Sequence, residues 1–151
     1  IFFFNGMGQD EANGRFTLDD DELDLRWDKP VGNQPVFGQI EGLMSDLAAA
    51  MASDDPASGY VPMPLWRGLG EHKLSVTHPL GGCRIGATSE DGVVDGHGRV
   101  YDGSAPAGST DVYPGLFIVD ASVFPGAVVA HPTLTIMAQA LKTMDRALAP
   151  A

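Results

Sequence analysis

Basic charge is scarce: 9 Lys and Arg stand against 20 Asp and Glu, for a formal charge of −11. With no basic stripe to displace counterions, a nucleic-acid backbone is excluded as partner. Cysteine is scarcer still. A single Cys83 rules out an internal disulfide framework. No apolar run approaches the length of a bilayer span, and Ile1-Phe2-Phe3-Phe4 lacks the basic flank of a signal peptide. Several catalytic signatures are also missing. There is no Gly-x-Ser-x-Gly elbow, no Walker loop and no Cys-x-x-Cys or His-Glu-x-x-His pair. Gly6-Met7-Gly8 and Gly96-His97-Gly98 match only the first half of a dinucleotide fingerprint. A zinc site built from His72, His78 and Cys83 has no supporting spacing, and no metal is expected. Cys83, between Gly82 and Arg84, reads as a small packing residue.

What is present is a globular composition, 44% hydrophobic over 151 residues, enough for one core. The 19 Gly and 11 Pro fall in clusters, which predicts short elements separated by tight turns. Residues 1–28 read as β: a strand end at Ile1–Phe4, then a hairpin over 15–27 with the acidic tip Asp19-Asp20-Asp21-Glu22 as a solvated turn. The spacing of Phe37, Ile40, Leu43, Met44, Leu47, Ala48 and Met51 predicts a helix over 36–51. A Pro- and Gly-rich loop covers 53–70, and Leu74-Ser75-Val76-Thr77 is a strand candidate leading into His78. The stretch 81–115 is mostly loop, with β-like pieces at 92–95 and 99–101. Leu116-Phe117-Ile118-Val119 reads as a strand buried on both faces. Past Pro125-Gly126, a helix starts after His131, with Pro132 in its first turn, and runs to about Leu148. Leu134, Met137, Leu141, Met144 and Leu148 form its apolar stripe, with Lys142 and Arg146 toward the favourable C-terminal end of its dipole.

Two of the four histidines occupy junctions where chemistry is common. His78 opens His78-Pro79-Leu80-Gly81-Gly82-Cys83, a loop thin enough for close backbone approach. His131 precedes a helix N-terminus, whose unpaired N–H groups attract negative charge. Together they could hold an alcohol oxygen beside an electron-rich ring. His72 and His97 receive no role.

These residues resemble the C-terminal portion of the glucose–methanol–choline oxidoreductases, FAD-dependent enzymes that oxidise alcohols. The likeness is carried by His78-Pro79-Leu80-Gly81-Gly82-Cys83, Gly92-Val93-Val94-Asp95, Gly98-Arg99-Val100-Tyr101, Gly115-Leu116-Phe117-Ile118-Val119-Asp120-Ala121-Ser122 and His131-Pro132-Thr133-Leu134-Thr135-Ile136. Within the family it is similar to the cholesterol-oxidase branch, with weaker support from Met7-Gly8-Gln9-Asp10 and Arg15-Phe16-Thr17-Leu18.

The resemblance implies the following. His78 matches the histidine that accepts or positions the substrate hydroxyl proton. His131 matches a second active-site position, Asn in that branch and His in many other members. Asp120 and Ala121 match the segment at the ribityl and phosphate part of FAD. Pro132 and Thr133 match the approach to the flavin pyrimidine edge, Thr133 through its backbone N–H. The implied fold is α/β, α+β in the first half: residues 1–77 end a substrate-binding domain, and residues 78–151 return into an FAD-binding domain. The implied partners are a small-molecule alcohol, a secondary alcohol such as a sterol or else a non-sterol alcohol, and the remaining N-terminal part with the Rossmann fingerprint as a separate or missing chain; the alternative is a noncatalytic subunit that completes or regulates a flavoprotein. The start at Ile1, inside an apolar run, fits processing or a piece of something longer. The expectation is uncovered apolar surface around Ile1–Phe4 and beside 116–119.

Overall fold

A computed structural model describes residues 3–52, 59–62, 76–128 and 131–149. The chain divides into two compact units, Ile1–Val76 and Thr77–Ala151.

In the first unit, alternating residues and a two-residue acidic loop make an antiparallel hairpin of β1 (Arg15–Asp19) and β2 (Glu22–Arg26). Asp20 and Asp21 both adopt positive φ, 46° and 66°, the backbone a two-residue turn requires. Arg26 pairs with Asp24 of its own strand at 2.6 Å and reaches across to Asp19 of β1 at 3.6 Å. Helix α1 (Pro35–Met51) begins on a proline, whose missing N–H costs nothing there. Its Val36, Ile40 and Met44 side chains touch the chain at Gly6 and Gly8, where a Cβ would come within 2.1 Å and 2.5 Å of them. Of the rest of the predicted apolar face, Phe37 and Ala48 are half-buried and Leu43, Leu47 and Met51 are exposed.

Three sequence expectations change. Phe3 and Phe4 lie in irregular chain, not a strand, while Ile1 and Phe2 fall outside the described residues. Val76 and Thr77 are not in a strand, and His78 sits in a bend; Leu74 and Ser75, like most of loop 53–70 and His72, lie outside the described residues. The buried strand at 116–119 is replaced by β4 (Val112–Phe117), which pairs antiparallel with β3 (Arg99–Tyr101) alone among the described residues. Leu116 within β4 and Val119 just beyond it are exposed. The register slips between the pairs Arg99–Phe117 and Tyr101–Val112, where Pro114 and Gly115, at φ +74°, interrupt the ladder.

The second unit is organised around the buried side chains of Val94, Tyr101 and Val123, and Thr143 is fully buried as well. Val94 bridges Ile85 in parallel and Val100 in antiparallel. Gly86 and Gly92 cross so closely that a Cβ on Gly86 would lie 2.4 Å from the Gly92 nitrogen. The Tyr101 hydroxyl donates to the Gly86 carbonyl at 3.0 Å, closing that crossing. Asp95 organises the following turn. It accepts from the His97 and Arg99 backbone N–H groups and the Arg99 Nε, at 2.8, 3.0 and 2.7 Å. Burial pushes its carboxyl up, but these bonds and the Arg99 charge outweigh that and hold it below the usual range.

Helix α2 (Thr133–Ala147) docks on this turn. Lys142 Nζ donates to the Gly96 carbonyl at 2.7 Å, and Gln139 reaches the same oxygen at 3.4 Å. Its stripe residues Leu134 and Leu148 are 78% and 76% exposed, and Met137 and Leu141 more than half exposed. Uncovered apolar surface at Phe3, Leu116 and Val119 matches the sequence expectation. No helix among the described residues is long and apolar enough to cross a membrane.

Candidate active site

The loop from His78 is laid down by backbone hydrogen bonds. Gly81 and Gly82 take φ of 82° and 104°, a conformation that favours glycine. Their turn lets the chain run beside residues 121–123: Gly81, Cys83 and Ile85 donate to the carbonyls of Ala121, Ser122 and Val123 at 3.4, 3.0 and 2.8 Å. The predicted cofactor segment Asp120-Ala121 is thereby fastened to the loop that carries His78.

Asp120 caps the short turn Ala121–Val123. The Ser122 hydroxyl and backbone N–H both donate to its Oδ1, at 2.5 and 2.8 Å, and hold the carboxyl below its usual range. At neutral pH it is a carboxylate whose Oδ1 is occupied by Ser122.

The other half of the site comes from α2. Pro132 is buried one residue ahead of the helix, with φ −77° and ψ −7°, and its carbonyl accepts the Ile136 N–H at 2.8 Å. No side chain caps the first turn. Exposed Thr133 thus starts a helix whose leading N–H groups carry the positive end of the dipole. His131 lies immediately before this end and is exposed.

The two histidines meet. The His78 and His131 rings are 4.9 Å apart between centroids at 77°, an edge-to-face contact. All six predicted site residues, His78, Asp120, Ala121, His131, Pro132 and Thr133, therefore lie on two strapped segments and one helix end of the second unit. Sequence reasoning missed Thr77, whose Oγ1 lies 3.3 Å from His78 Nδ1. A hydroxyl next in sequence to a histidine gives no spacing signal. Among the described residues no three of His, Cys, Asp or Glu gather to hold a metal ion.

The described residues thus bring two imidazoles into contact just ahead of an uncapped helix N-terminus, an arrangement able to pass on a proton and to face negative charge. The GMC oxidoreductase profile matches residues 44–140, and the chain belongs to that family. It is similar to a cholesterol oxidase of Acinetobacter baumannii, 37% identical over 68 residues, 45% of this chain and 10% of that protein. It is also similar to the long-chain-alcohol oxidase FAO4B of Arabidopsis thaliana, 35% identical over 63 residues, 42% of this chain and 7% of that protein. The matched stretch thus spans a tenth or less of these relatives' length. No solved structure matches the chain.

Proposed function

We propose that this chain is the C-terminal part of an FAD-dependent alcohol oxidoreductase and supplies both histidines of its catalytic site. The substrate is a secondary alcohol, a sterol, which leaves as the ketone. The observation that carries this reading is the edge-to-face approach of His78 and His131 at the start of α2.

The residues present fit the cofactor. The uncapped first turn of α2 offers N–H donors at Thr133 and beyond to an acceptor-rich ring edge, and its dipole favours charge gathering there. The Asp120 carboxylate suits ribityl hydroxyls, which donate to it, and repels a phosphate; phosphate contact falls to uncharged backbone such as that of Ala121. When bound, FAD supplies the hydride acceptor for the alcohol carbon. His78 takes the hydroxyl proton at Nε2, the nitrogen that Thr77 leaves open. His131 donates a hydrogen bond to the alcohol oxygen and orients it against His78. The exposed stripe of α2, Leu134, Met137, Leu141 and Leu148, is the surface that the remaining N-terminal part of the enzyme covers.

A second reading, a long-chain primary alcohol as substrate, is favoured by the likeness to the Arabidopsis oxidase. Anaerobic mixing of the full-length protein with each alcohol separates them. A sterol is expected to bleach the flavin absorbance in a single turnover. Bleaching by the long-chain alcohol alone transfers the assignment to the second reading. A full-length protein without flavin, or with flavin that no alcohol reduces, contradicts both.

A further inference from the structure

We infer that Thr77 is a positioning residue: its hydroxyl accepts a hydrogen bond from His78 Nδ1–H and fixes the tautomer that leaves Nε2 free to take a proton. This rests on the proposed role of His78. The observation is the 3.3 Å separation of Thr77 Oγ1 and His78 Nδ1, the hydrogen bond His78 makes among the described residues. The partner of one ring nitrogen sets the role of the other. A hydroxyl can donate or accept, so the contact alone admits both directions.

The chemistry selects between them. If Thr77 donated, Nε2 would carry the ring hydrogen and could not accept the alcohol proton. If Thr77 accepts, Nδ1 keeps its hydrogen before and after Nε2 is protonated. The same contact then serves both states, and nothing at that nitrogen reorganises as the proton moves. The fold makes the contact cheap. Thr77 and His78 are adjacent in a bend, so no loop is closed to bring them together. Pro79 restricts the backbone of His78 from the other side. The bonds from Gly81 and Cys83 to Ala121 and Ser122 anchor the loop beyond. The ring of His131, edge-on at 4.9 Å, limits rotation of the His78 imidazole. The ring is thus held between a hydroxyl and a second imidazole.

The test uses the full-length enzyme and anaerobic single-turnover flavin reduction. Thr77→Val is expected to lower the limiting rate about tenfold with the half-saturating alcohol concentration unchanged. Thr77→Ser, which keeps the hydroxyl, is expected to keep the wild-type rate. Nitrogen-15 NMR of His78 should show the Nδ1–H tautomer in the wild type and in Thr77→Ser, and its loss in Thr77→Val. A wild-type rate in Thr77→Val, a Thr77→Ser variant as slow as the valine variant, or an Nε2–H tautomer in the wild type overturns the inference while leaving the role of His78 standing. A fast His78→Ala variant instead removes the reading beneath it, and the inference with it.

Discussion

His78→Ala in the complete enzyme is expected to slow anaerobic flavin reduction by about a hundred- to ten-thousandfold, the range for a positioned general base. His131→Ala is expected to cost about a hundred- to thousandfold, the range for one preorganised donor at a reacting oxygen. On the proposed reading, loss of either side chain is expected to damage chemistry and spare the fold. His131 is exposed and His78 half-buried, and neither contributes to the core of Val94, Tyr101 and Val123. Removing His78 leaves the Thr77 hydroxyl to water, since Thr77 is itself exposed. Flavin content and unfolding midpoint should therefore match the wild type while reduction fails. The check is the rate of loss of oxidised-flavin absorbance after mixing with alcohol, read beside the flavin spectrum of each variant. Reduction at the wild-type rate in either variant removes that residue from the mechanism.

The second large effect falls on the fold behind the site. Gly98→Ala is expected to destabilise the unit by about 3 kcal/mol, strain and overpacking combined. Gly98 is buried with φ +73°, where an L side chain is strained. An added Cβ would lie 2.6 Å from the Ile118 carbonyl oxygen and 3.0 Å from Thr143 Oγ1. The glycine cannot retreat. Its N–H donates to the Asp95 carbonyl and its own carbonyl accepts from Ile118, both at 2.9 Å. Thr143 belongs to α2, so the clash also pushes on the helix whose N-terminus presents His131. Gly96, two residues earlier, is the control. A Cβ there meets nothing within 4 Å, and Gly96→Ala is expected to shift stability by less than about 1 kcal/mol. Urea unfolding of both variants checks the contrast.

Local pattern carried the elements whose cause is local. The acidic run Asp19–Glu22 and the flanking alternation placed the hairpin, though Asp19 and Glu22 pair and leave a two-residue turn, and three-to-four spacing placed α1 and α2 within a residue or so of their ends. Where an element depends on distant chain, the reading slipped. Leu116–Val119 showed that something apolar must be covered there, but not by what. The strand itself shifted to Val112–Phe117 because pairing with β3 tolerates Pro114 and Gly115 as an irregularity. The candidate site divides the same way. The helix end before Thr133 and the glycine loop after His78 were legible as junctions. That the two imidazoles touch was not, since spacing along a chain says nothing of proximity across it. Their junction positions suggested joint action and the family resemblance supported it, but the contact itself came only from the folded chain. Thr77 had no signal because its role exists only through the tautomer of its neighbour.

The central claim is that His78 and His131 act on one alcohol as a unit. A double-variant cycle of flavin reduction in the full-length enzyme tests it most directly: His78→Ala, His131→Ala and both together. Groups that act as a unit lose little more jointly than singly. The double variant is expected to reduce flavin no more than about tenfold slower than the slower single variant. Losses that multiply in full, or a double variant as fast as the wild type, would contradict that claim.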